Sequence, residues 1–84
     1  MQLPATATLA EASSLLQTLG DDTELIDASA LTVFDTSALA LILEARRRAH
    51  QRGKTLVVHG APPKLIQFAK LYGVEELLSF DNAP

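Results

Sequence analysis

The sequence predicts a small α/β domain: one mixed, mostly parallel sheet with helices packed on it. Three observations predict this. Apolar residues recur at helical spacing in three stretches, closed by Gly20, Gly53 and Gly73. Short apolar runs rich in Leu, Ile and Val, Glu24 to Ala28 and Lys54 to His59, lie between them. Strands that alternate with helices pair in parallel through right-handed crossovers.

In order along the chain, Gln2 to Ala7 is an apolar, Thr-rich stretch broken by Pro4, which suits an edge strand. Leu9, Ala12, Leu15, Leu16 and Leu19 then share one helical face. Thr8 with Glu11 three residues on forms a capping box, and Gly20 stops the helix where a left-handed residue is cheapest. Glu24 to Ala28 reads as a buried strand, and Ser29 to Phe34 as a loop. The longest helix runs from Thr36 to Arg52, with Ala38, Ile42, Ala45 and Ala49 at the centre of its buried stripe. Lys54 to His59 is the clearest strand. Pro63 suits the first turn of a helix reaching Tyr72, and the two prolines stiffen the turn before it. A turn at Val74 to Leu78 precedes a last strand at Leu78 to Phe80, and Asp81 to Pro84 should fray. Asp27, Asp35 and His59 follow or end strands, so one sheet edge should gather them.

The 84 residues make one domain, 1–84, and 48% hydrophobic content excludes wholesale disorder. No cysteine is present, so disulfides, thiolate chemistry and Cys-based zinc sites are excluded. The longest apolar run, Ala38 to Leu43, falls far short of the ~20 residues a membrane span needs. No basic residue precedes an apolar stretch at the start, so no secretion signal is expected and the cytoplasm is the default location. The formal charge of −3 and the lack of aromatics beside the arginines argue against nucleic acid as a partner.

The chemistry-bearing residues favour a binding module. Ser37 lacks a nucleophile elbow, and His50 and His59 are isolated, so no catalytic residue, metal site or cofactor is expected. Asp35 can cap the long helix, while Thr36 and Ser37 sit in the positive field of its first turn. That cluster reads either as a plain helix cap or as a place for a phosphate. Thr36, Ala40, Leu43 and Arg47 lie on one flank, with Leu39 near the core stripe. The flank is a docking surface, or a wide core face that swallows Leu39 and Leu43; both readings stay open. Arg46, Arg47, Arg48, Arg52 and Lys54 form a basic cluster that complements the helix dipole, or faces an acidic partner or anionic lipid headgroups.

From Leu3 to about Leu78 the chain resembles the STAS family, found in anti-sigma factor antagonists and sulfate transporters. The resemblance rests on the strand ending Ile26-Asp27, on Phe34-Asp35-Thr36-Ser37 leading into Leu39-Ala40-Leu41-Ile42, on Gly53-Lys54, and on Phe68-Ala69-Lys70-Leu71-Tyr72-Gly73-Val74. Within the family it is most similar to the cytoplasmic accessory subunits of Gram-negative phospholipid ABC transporters. That likeness implies a non-catalytic subunit, peripheral to the inner membrane, that binds the ATP-hydrolysing subunit. Asp35, Thr36, Ser37, Leu39, Ala40, Leu43 and Arg47 would make the contact. The alternative it implies is an anti-sigma factor antagonist, whose partner is an anti-sigma factor kinase that phosphorylates Ser37 or Thr36. Ala38 stands where antagonists carry Gly. The N-terminal stretch is too short for the family's first strand, which implies a sheet edge left bare, covered by a partner or used in a homodimer.

Overall fold

The computed structural model describes residues 1–81. In chain order these form β1 (Thr6–Ala7), α1 (Leu9–Thr18), β2 (Leu25–Asp27), β3 (Val33–Phe34), α2 (Thr36–Gln51), β4 (Val57–His59), α3 (Pro63–Leu71), a 3-10 turn (Glu75–Leu77) and β5 (Ser79–Asp81). The expected elements are present, the first three strands shorter than expected and the last shifted by one residue. Two readings are corrected. Val33 and Phe34 form a strand inside the stretch taken as a loop, because they find β1 as a partner. Asp81, expected to fray, pairs with His59 at the end of β5; residues 82–84 lie outside the described residues.

β4 lies between β2 and β5, and β1 pairs with β3. All these pairings are parallel, so the antiparallel part of the expected mixed sheet has no counterpart among the described residues. The N-terminal segment joins the two sets of strands. The Leu3 N–H donates to the Asp27 carbonyl and the Asp27 N–H to the Met1 carbonyl, each at 2.8 Å, and Gln2 bridges Asp27 in parallel. Thr32 and Val33 donate to the Ala5 carbonyl at 2.8 and 2.9 Å. Pro4, which has no N–H to give, marks the change of partner from β2 to β3. Met1 to Ala7 therefore runs alongside both β2 and β3, and β4 and β5 follow β2 across the sheet. Met1 to Leu3 cover the edge of β2, because three residues suffice to span a strand this short.

This order fixes the layers. α1 connects β1 to β2, α2 connects β3 to β4 and α3 connects β4 to β5, and every step moves the same way across the sheet. Right-handed connections then put all three helices on one face. Leu3, Ile26 and Val58 point to that face and are fully buried with Ile42, Ala45 and Leu65. On the opposite side the register aligns Gln2, Asp27, His59 and Asp81 in one row and Leu25, Val57 and Ser79 in another. Leu25 is 49% exposed and Val33, in register with Thr6, 55% exposed.

Local chemistry explains the element ends. Glu11 accepts from both the N–H and the hydroxyl of Thr8, at 2.8 and 2.7 Å, so the expected cap at the start of α1 forms. Pro63 occupies the first turn of α3 as expected. Gly53 and Gly73 are left-handed, with φ 70° and 71°, but Gly20 is not. The chain leaves α1 through an extended Leu19 instead. Gly60 is left-handed at the end of β4, and a Cβ there would lie 2.8 Å from the Ser29 Cβ.

Candidate functional site

The start of α2 is built around one carboxylate. Asp35 Oδ1 accepts from the Ser37 N–H at 2.8 Å, the cap expected from the sequence. Its Oδ2 accepts from the Leu9 N–H of α1 at 3.1 Å. One side chain thus satisfies orphan donors at two helix starts and holds their tips together. These two N–H groups keep the Asp35 carboxyl below its ordinary pKa. Asp35 is therefore committed to the helix tips. The expected cluster forms in part: Asp27 and His59 are register partners, with Asp81 on the far side of His59 at 3.5 Å.

Thr36 is exposed and Ser37 half-buried at this tip. Behind them Ala40 is exposed and Leu43 half-buried against the core. Leu39, expected at the contact, is 3% exposed. The core takes it because, three residues before Ile42, it lies only about 60° round the helix from the buried centre of the stripe, so it supplies the floor of the site and not its rim.

The apolar ground on either side of this ridge was not foreseen. A groove of about 310 Å³ between α1 and α2 is lined by Leu9, Ala12, Leu16, Ser37, Ala40 and Leu41, with Glu44 at its end. A second, of about 280 Å³, is lined by Thr36, Leu39, Ala40, Leu43 and Tyr72. Leu9 and Leu16, on the apolar face of α1, are 75% and 40% exposed, and no residue of α1 is buried. A signal was present in their companions: Ser13, Ser14, Gln17 and Thr18 leave only a narrow stripe. Tyr72 is 59% exposed, so its ring walls the second groove.

Arg47 is paired on its own helix. Its guanidinium donates to both oxygens of Glu44, at 2.8 and 2.7 Å. Arg48 donates to Glu44 at 2.8 Å and to the Leu19 carbonyl at 2.8 Å. Arg46 donates to the Leu77 carbonyl at 2.6 Å. The bidentate Arg47 and then Arg48 lower the Glu44 pKa to about 2. Arg48 thus ties α2 to the end of α1 and Arg46 ties it to the 3-10 turn, while Arg47 is paired within α2. Of the two docking explanations for the cluster, neither is needed for these three.

The site offers hydroxyls, small side chains and apolar walls. Among the described residues no group of His, Cys, Asp and Glu could hold a metal ion. No helix among them is long and apolar enough to cross a membrane. No characterised protein matches the chain. The sequence pattern of the family described as Mlab, STAS domain does match, over residues 2–79. With nearly the whole chain inside that match, and with a small α/β fold of the kind it requires, the chain belongs to the MlaB-type STAS domain family.

Proposed function

We propose that the chain is a non-catalytic accessory subunit that docks on the ATP-hydrolysing subunit of an ABC-type phospholipid transporter. In this role it supports the maintenance of outer-membrane lipid asymmetry from the cytoplasmic side of the inner membrane. One observation supports this reading above the rest: the exposed Thr36 and Ala40 form a low ridge between two apolar grooves. Small residues let a partner backbone approach closely, while Leu9, Leu16, Leu43 and Tyr72 offer area to bury. Burying one leucine side chain fully stabilises by about 1.5–3 kcal/mol. Capping by Asp35 fixes the ridge before docking, so little ordering entropy is lost on association.

A phosphorylation switch at Ser37 fits less well. The Asp35 carboxylate already holds the Ser37 N–H at 2.8 Å, so a phosphate added there would meet a negative charge at short range.

The test is capture of the transporter's ATPase subunit by the tagged chain. Thr36→Glu places a charge in a contact that loses its water, and Leu43→Asp does the same in the second groove. Each should reduce capture at least about tenfold, equivalent to ~1.4 kcal/mol. Equal capture by folded variants and wild type refutes the proposal. An added phosphate mass after incubation with a cognate anti-sigma factor kinase supports the switch instead.

A further inference from the structure

α3 carries a cation where a helix favours an anion. Lys64 stands in its first turn, which holds no acidic residue, and the positive end of the helix dipole opposes an ammonium there. The Lys64 Nζ lies 5.8 Å from the centre of the Phe34 ring and 5.6 Å from that of Phe68. These two rings pack edge to face, with centres 5.9 Å apart. Ring faces hold an ammonium in place but do not neutralise it. Among the described residues no carboxylate pairs with Lys64, whereas Lys70 on the same helix has Glu75 at 3.7 Å. The rest of this flank is apolar. Phe68, Leu71 and Tyr72 follow Lys64 by four, seven and eight residues, which places them within about 100° of arc on the helix. Leu71 is 75% exposed, and Tyr72 walls the second groove beside Thr36 and Leu43. Phe34 directly precedes Asp35 and Thr36, so the flank and the ridge meet at both ends.

We propose that the docking surface extends along this flank to Lys64, and that its occupant there is an apolar segment of the docked subunit bearing one Asp or Glu. The carboxylate meets the Lys64 ammonium, and the apolar residues cover Phe68, Leu71 and Tyr72. This extension rests on the docking reading of the Thr36 ridge.

Charge and length select this occupant. From Lys64 to Tyr72 the helix rises about 12 Å, so one short segment reaches from the ammonium to the second groove. A carboxylate compensates the cation that the chain's own acids leave unpaired, and it also faces the positive end of α3. A basic segment would bring a like charge to Lys64 over the same apolar ground. The two rings restrain the long lysine side chain, so pairing costs it less freedom.

The test is capture of the transporter's ATPase subunit by variants of this flank, with Thr36→Glu run beside them. Lys64→Glu and Leu71→Ser should each lower capture at least about fivefold, whereas Lys64→Arg should keep it. A carboxylate suits the first turn of α3, so Lys64→Glu should fold, and thermal melts establish that each variant does. Added salt should shrink the gap between wild type and Lys64→Gln. An Asp or Glu of the ATPase subunit whose change to Lys restores capture by Lys64→Glu identifies the pairing carboxylate. Capture that Thr36→Glu abolishes and either flank variant leaves unchanged overturns the extension while the docking reading stands. No capture by the wild type refutes both. Dimerisation of the chain alone that Leu71→Ser abolishes, or binding to anionic phospholipid vesicles that Lys64→Glu abolishes, also overturns the extension, because the flank then belongs to a second copy or to a membrane.

Discussion

Asp35 is one residue with two duties. Its N-cap role follows from its place before a helical stripe, and the sequence predicts it. Its bond to Leu9 joins residues 26 apart in the chain, which no local pattern encodes. Replacing it with Ala removes both bonds and should lower the thermal midpoint, while Asp35→Asn keeps an acceptor and should lower it less. Equal midpoints for Asp35→Ala and wild type would contradict the shared cap. The same geometry explains why Ser37 is half-buried while Thr36 is exposed: Asp35 draws the tip of α1 onto the Ser37 side.

At the scale of the element, α2 carries the core, the site and the ties between them. Its buried stripe of Ala38, Ile42, Ala45 and Ala49 is legible from spacing alone. How far that stripe extends to either side is not, because the width of a buried face depends on what packs against it; Leu39 went into the core and Ala40 stayed out. The Glu44 carboxyl makes a testable pH signature. Its pKa falls from an ordinary 4.5 to about 2 in the folded chain. A group depressed on folding contributes stability that is fully present above pH 4.5 and is lost as the pH falls towards 2. Denaturant titrations across this window should therefore show Glu44→Gln losing less stability than wild type. Salt should shrink the difference, since the pair is partly exposed. Identical pH slopes for the two proteins would rule the pairing out as a contributor.

For the molecule as a whole, stability rests on one thin core between a single sheet face and a single helical layer. Ile26, Ile42, Val58 and Leu65 are each fully buried within it. Ile42→Ala should cost about 2–5 kcal/mol, a large share of the ~4–12 kcal/mol expected for 84 residues. A loss under ~1 kcal/mol in equilibrium unfolding would mean that the layers pack differently. A domain with one helical layer also has surface to spare. The sheet cannot cover α1 from below along its whole apolar stripe, so Leu9 and Leu16 remain at the surface beside the ridge.

By itself the sequence determined the alternation of strands and helices, the helix stops at Gly53 and Gly73, the capping residues Thr8 and Asp35, and the helix tip that carries Thr36. All of these depend on interactions within a few residues of chain. Only the tertiary structure decided that Met1 to Leu3 pairs with β2, that Val33 and Phe34 form a strand, that α1 is half-uncovered and that all three helices lie on one face of the sheet. Each of these depends on which distant segment lies alongside. Burial is a property of the neighbour as much as of the residue, and neighbours are chosen by strand order and crossover handedness, not by local spacing.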